Sequence, residues 1–162
     1  MGKGRVSVGT TVAGLVAGMG YGMMEMIIEA IWGKGFWSPL RFIASVFTLG
    51  SDTDPSFAVV PVFVGLMGHM MNSVLFGIVF ALFVSRIAHG TVGLAVTGMI
   101  YAAAIFVAMW FVVLPLIDRA MLLLNPIGFF ASHLMYGLLL GVGIAYAHRR
   151  EGSRATAGAR PT

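Results

Sequence analysis

The sequence predicts an all-α membrane protein with four transmembrane helices in two tandem hairpins, both termini on the cytoplasmic side, and an interfacial helix outside after the first span. Three observations carry this. Of 162 residues, 59% are hydrophobic and only 10% charged, whereas soluble domains are roughly one-quarter charged and about 45–50% apolar. The mean hydropathy of +0.94 then requires a bilayer as solvent. Four apolar stretches each reach the roughly 20 residues that a hydrocarbon core of about 30 Å demands of a helix. Lys and Arg gather at helix ends and divide unevenly between the two sides.

The predicted spans are Thr10–Trp32, Phe57–Val84, Val92–Leu116 and Ile127–Ala147. Asp54-Pro55 and Asn125-Pro126 read as helix starts, each with a capping side chain before a proline whose missing N–H costs nothing in the first turn. Gly33 to Gly35 close the first span, and His89-Gly90 closes the short connection between the second and third. The first segment is too long and too rich in Glu for a cleaved signal peptide, so it is expected to be retained.

Between the first two spans, Ser38-Pro39 opens an amphipathic stretch, Leu40 to Phe47, that ends at Gly50 and reads as a short helix lying in the interface. Trp32, Phe36 and Trp37 are interface anchors beside it, and Pro115 to Leu124 reads as a smaller counterpart. Residues 1–150 form one domain, and Glu151–Thr162, basic and without an apolar face, read as a mobile cytoplasmic tail.

Lys3, Arg5, Arg86, Arg149, Arg150, Arg154 and Arg160 fall on one side, against Lys34, Arg41 and Arg119 on the other, so the positive-inside rule places both termini in the cytoplasm. A net charge of +4 distributed in this way is a topology signal, and no nucleic acid is expected as partner. The absence of cysteine excludes disulfides, thiolate metal sites, covalently attached haem and cysteine nucleophiles. No Walker loop, dinucleotide turn, zinc-protease motif or nucleophile elbow is present, and no catalytic residue is assigned.

The chain also carries an internal echo. Thr11-Val12, Val16, Gly18-Met19 and Tyr21 recur 80 positions later as Thr91-Val92, Val96, Gly98-Met99 and Tyr101. His69, Leu75, Gly77 and Ala81 recur 64 positions later as His133, Leu139, Gly141 and Ala145. One hairpin duplicated in tandem accounts for both offsets, with the copies related by an axis along the membrane normal.

Apolar side chains gain little by leaving lipid for one another, so membrane helices associate through small residues that let backbones approach. Gly14, Gly18 and Gly22 supply such a stripe on the first span, Ser73, Gly77 and Ala81 on the second, and Gly137, Gly141 and Ala145 on the fourth. His69 and His133 each extend a stripe by one turn. At about 100° per residue, Glu29 falls about 20° and Glu25 about 60° from Gly22. All four polar residues are therefore expected inside the bundle, in its outer half, where a charge is costly unless paired or wet.

Glu25, Glu29, His69 and His133 form the candidate site. The plain reading is hydrogen bonding that fixes helix packing, completed by Tyr21, Tyr136 or Asn72. Alternatives are a divalent metal held by all four, haem b between the two imidazoles, and a proton or ion path. The twelve methionines also raise soft-metal handling, although methionine commonly fills irregular gaps.

The helix His133-Leu134-Met135-Tyr136-Gly137-Leu138-Leu139-Leu140-Gly141, with its counterpart from His69 to Gly77, resembles that of a broad group of small uncharacterised four-span bacterial inner-membrane proteins. These share glycine-rich first spans and a late His-x-x-Tyr-Gly-x-x-x-Gly helix, and the resemblance implies fold and location only. The leading functional expectation is a non-catalytic accessory subunit of a larger, respiratory-type membrane complex, held by its glycine faces to other subunits or to itself. The competing expectations are a metal- or haem-binding membrane protein and a small oligomeric ion or solute transporter.

Overall fold

A computed structural model describes residues 6–48, 54 and 56–158, without the side chains of Thr48 and 154–158. Lys3, Arg5, Gly50, Pro55 and Arg160, which enter the readings above, lie outside the described residues. The regular elements among the described residues are all helical, and four helical runs are long and apolar enough to cross a membrane.

Helix α1 spans Val8–Ile31 and starts at a capping box: the Ser7 hydroxyl accepts from the Thr10 N–H, and the Thr10 hydroxyl accepts from the Ser7 N–H. It ends at Gly33 and Gly35, whose φ angles of +79° and +96° are open to glycine and strained for other residues. Helix α2, Ser38–Thr48, follows at the expected position of the interfacial helix.

Helix α3 spans Val59–Leu82 and has Ala58 at its N-cap, with no side-chain cap. The expected Asp54-Pro55 start is corrected: Asp54 instead accepts the Ser56 N–H and hydroxyl, at 2.8 and 2.9 Å, closing a local Asx turn ahead of the helix. Helix α4, Gly90–Ala108, runs into a π-helical turn at Met109–Val113 and a short α5, Leu114–Ile117. The π turn has a cause in the sequence, because Pro115 has no N–H to continue the i→i−4 ladder and disturbs the turn before it.

Helix α6, Pro126–Gly158, opens as predicted, with the Asn125 carboxamide oxygen accepting the N–H groups of Ile127 and Gly128, both at 3.0 Å. It continues through the first part of the expected tail, to Gly158.

Helix α6 is the centre of the bundle: half of its span is covered by the rest of the chain, against 11% for the α4 span. On one side it runs antiparallel to α1, with Gly9 against Ala147, Ala13 against Gly143, Gly20 against Leu139, and Ile28 against Gly128. On the other it meets α4, where Gly98 lies against the Gly137 backbone and the Leu94 carbonyl against Gly141. Helix α3 crosses α1 so closely that a Cβ at Gly77 would stand 3.1 Å from the Gly14 Cα, and Gly18 faces the Ser73 side chain.

Nearly every glycine of the spans is thus taken up inside the chain. Ala81 and Ala145 are buried on the same stripes. Helix α2 rests on α3 because Gly65 admits the Leu40 carbonyl and Gly68 admits the Phe47 ring. Phe36 and Trp37 pack into the cluster of Met26, Leu40 and Val62 beneath α2, while Trp32 stays 57% exposed.

The order around the bundle is therefore α3, α1, α6, α4, with few direct contacts between α3 and α4. Among those that exist, the Tyr101 hydroxyl donates to the Phe76 carbonyl at 3.0 Å and its ring packs on Phe80.

Candidate functional site: a cavity beneath α2

The unclosed side of the bundle contains a cavity of about 340 Å3. Ile43, Val46 and Phe47 of α2 line it from above, together with Met121. Ile105, Met109, Val113 and Leu114 supply the wall on the α4 side, and the π turn brings Met109 and Val113 there. Polar groups come from Tyr21 on α1, His69, Asn72 and Ser73 on α3, and His133 and Tyr136 on α6. None of the described lining residues is Lys, Arg, Asp or Glu.

The two histidines are held in defined tautomers. A carbonyl only accepts, so His69 donates from Nε2 to the Gly18 carbonyl across the α1 crossing, at 2.8 Å. Gly22 is what makes room for this ring, since a Cβ there would stand 3.2 Å from Nε2. His133 donates from Nδ1 to the Phe129 carbonyl one turn earlier on its own helix, also at 2.8 Å. Tyr21 packs on both imidazoles, with centroids 5.1 Å from His69 and 4.9 Å from His133, and Phe129 closes on His133 at 4.6 Å.

Two further polar groups of the lining are satisfied by backbone carbonyls. The Tyr136 hydroxyl donates to the Ser73 carbonyl at 2.6 Å, and the Ser73 hydroxyl donates to the His69 carbonyl at 2.8 Å.

Glu25 and Glu29 sit elsewhere, in the α1–α6 seam where α1 ends and α6 begins, and are 1% and 0% exposed. The Ser132 hydroxyl donates to Glu25 Oε2 at 2.7 Å, and the Asn125 N–H donates to Glu29 Oε1 at 2.5 Å. The second oxygen of each carboxyl, Oε1 of Glu25 and Oε2 of Glu29, is buried without a partner.

The structure thus divides the expected four-residue cluster. The imidazoles line the cavity, and the carboxyls lock α1 to the start of α6. Among the described residues no three of His, Asp and Glu gather in a metal-holding group, which corrects the four-ligand reading. Carboxyls one and two turns beyond Tyr21 on α1 follow that face onto α6 and miss the α3 histidine. A haem between the imidazoles would compete for space with Tyr21, which packs against both rings.

Sequence reasoning missed the cavity and the contributions of Ser132 and of the α2 roof. Pro115 inside an apolar run was the available signal for the irregular α4 wall, and the Gly65, Gly68 pair was the signal for α2 docking.

A multi-pass helical membrane protein with an uncharged, partly polar cavity in its bundle is the class that fold and site define. No protein-family model matches the chain, and no curated protein or solved structure matches it either.

Proposed function

We propose that this protein binds an uncharged, lipid-soluble small molecule in the cavity between α3 and α4, within a bacterial cytoplasmic membrane and with both termini in the cytoplasm. The observation that carries the reading is the pair His69 and His133, two polar side chains placed at the same cavity in a wall that is otherwise mostly apolar. Ligand sites are concave, mainly apolar, and oriented by a few such groups. The orientation is supported by the sequence bias of seven cations, Lys3, Arg5, Arg86, Arg149, Arg150, Arg154 and Arg160, against three, Lys34, Arg41 and Arg119. Reporter fusions at each terminus check it, and a periplasmic signal from either would refute it.

The proposed duplication strengthens the ligand reading. Under offsets of 80 and 64, the Gly18–Ser73 contact becomes Gly98–Gly137, and Gly14–Gly77 becomes Leu94–Gly141, all four of which occur. His69 maps onto His133. Each repeat therefore contributes one equivalent histidine to a cavity at their junction, the place where repeat-built membrane proteins bind their substrates.

The accessory-subunit reading rested on glycine faces left for a partner, and those faces are used within the chain. Its remaining support is the α4 span, whose outward surface is the least covered of the four. Mass spectrometry of extracts from protein purified in native nanodiscs tests the ligand reading, with one retained neutral molecule per chain as the expected result. A cavity that carries only bulk lipid in bulk proportions, together with stoichiometric co-purification of another membrane protein, would favour the subunit reading instead. A Soret band or a bound metal in the same preparation would overturn the site geometry described above.

A further inference from the structure

We propose that the cavity recognises a hydroxyl group, so that its ligand is a membrane-borne alcohol or phenol that enters sideways from the lipid between α3 and α4. This rests on the ligand-binding reading above and gives the ligand its chemical class.

The argument starts from unused hydrogen-bonding capacity. With Nε2 of His69 and Nδ1 of His133 donating to backbone carbonyls, the other nitrogen of each neutral ring is a bare acceptor. Among the described residues neither His69 Nδ1 nor His133 Nε2 has a hydrogen-bond partner. Neither belongs with the fully occluded orphan atoms, which are the Glu25 and Glu29 oxygens. Each therefore reaches open space, and the open space beside both rings is the cavity.

The hydroxyls of Tyr136 and Ser73 already donate to backbone carbonyls. What the site offers is two imidazole acceptors, the Tyr21 hydroxyl and the Asn72 amide, in a wall whose described residues carry no charged side chain. Such a site is complemented by a neutral molecule that brings a donor on an apolar body. A molecule with carbonyls alone would leave both imidazole acceptors unpaired, which a site of low polarity penalises.

The route follows from where the bundle fails to close. Applying the two repeat offsets to the tight α1–α6 seam names the equivalent α4–α3 pairs. Gly143 against Ala13 becomes Val79 against Gly93, Gly20 against Leu139 becomes Ile100 against Leu75, and Gly128 against Ile28 becomes Val64 against Ala108. In each pair a β-branched residue stands where the tight seam has glycine, and in the Ile100–Leu75 pair both members are bulky, so the close approach is blocked there. Ile100 and Leu75 are accordingly 65% and 54% exposed. The exposed members of the cavity lining, Phe47, Asn72 and Ile117, stand at this same side of the bundle and form its rim. A mouth of this kind faces acyl chains, and a polar amide at its edge suits a head group passing from the interface.

The test compares 4-heptylphenol with 4-heptylanisole, its methyl ether, by native mass spectrometry of the whole protein in nanodiscs. The phenol is expected to bind at least fivefold tighter to the wild type, and the ratio to fall to about one in the His69→Phe, His133→Phe double variant. Should that variant not fold, Asn72→Trp, which obstructs the rim and leaves both imidazoles in place, is expected to slow uptake of both probes at least tenfold. Equal affinity of the two probes for the wild type overturns hydroxyl recognition while leaving the ligand-binding reading in place. An unchanged uptake rate in Asn72→Trp overturns the lateral route. Failure of both probes, with no co-purifying molecule, overturns the ligand-binding reading itself.

Discussion

Glu29 shows what a carboxyl does in this bundle without a cation beside it. Its Oε1 accepts the Asn125 N–H, tying the last turn of α1 to the first residue before α6. Glu29→Gln retains an acceptor of the same shape, whereas Glu29→Leu leaves that N–H unpaired. The leucine variant is expected to lose about 1–2 kcal/mol of stability and the glutamine variant distinctly less, read as detergent-solubilised unfolding midpoints. Outside the membrane, Asp54 is the residue whose ionisation matters. The Ser56 N–H, then the Ser56 hydroxyl, and to a smaller extent Arg41 at 3.8 Å hold its carboxyl below the usual carboxylate range. A lowered folded value contributes stability that is present above the unfolded value and lost as pH falls through the folded one. Protection of the Ser56 amide, corrected for intrinsic exchange, is therefore expected to decline between about pH 5 and about pH 2, and Asp54→Asn should remove that dependence. Helical arithmetic from Gly22 alone carries the carboxyls inward. That Glu25 meets Ser132, 107 positions away, depends on how α6 is rotated against α1, which no local pattern reveals.

At the scale of elements, backbone approach decides which helices touch. Gly98 and Gly137 meet through their backbones, so any Cβ there collides with a main chain that cannot rotate away. Gly137→Val is expected to destabilise the protein by roughly 1–3 kcal/mol, whereas the same change at Gly33, which has no neighbour in range, acts only through its positive φ. Gly65→Val is expected to push the Leu40 carbonyl off α3 and lift α2 from the cavity. Faster hydrogen exchange across Leu40–Phe47, with α3 itself unchanged, is the readout. The amphipathic run of α2, the Asn125-Pro126 start and the four long spans were all legible, because each is written in neighbouring residues. The start of α3 was not, since Asp54 had two local uses for the same oxygens and the turn to Ser56 took them. The continuation of α6 to Gly158 likewise escapes a reading based on apolar faces.

The whole molecule is an unequal closure of four helices, tight where α1 meets α6 and open where α3 faces α4. A chain without cysteines makes this testable with introduced pairs: Asn72→Cys with Ile105→Cys, joined by a short flexible bismaleimide, is expected to leave the fold intact and slow probe entry at least tenfold in nanodiscs. An unchanged rate would mean that the gap is not the entrance. Composition and periodicity by themselves determined that the chain is helical, that it needs lipid as its solvent, how many spans it has, and which side chains turn inward, because these depend on local hydrophobicity and a fixed angular step. Only the tertiary structure decided that the imidazoles share a cavity with Tyr21 while the carboxyls belong to a different seam. Crossing points and helix rotation depend on which small residues meet, and a glycine looks the same in sequence whether it closes an interface or faces a gap.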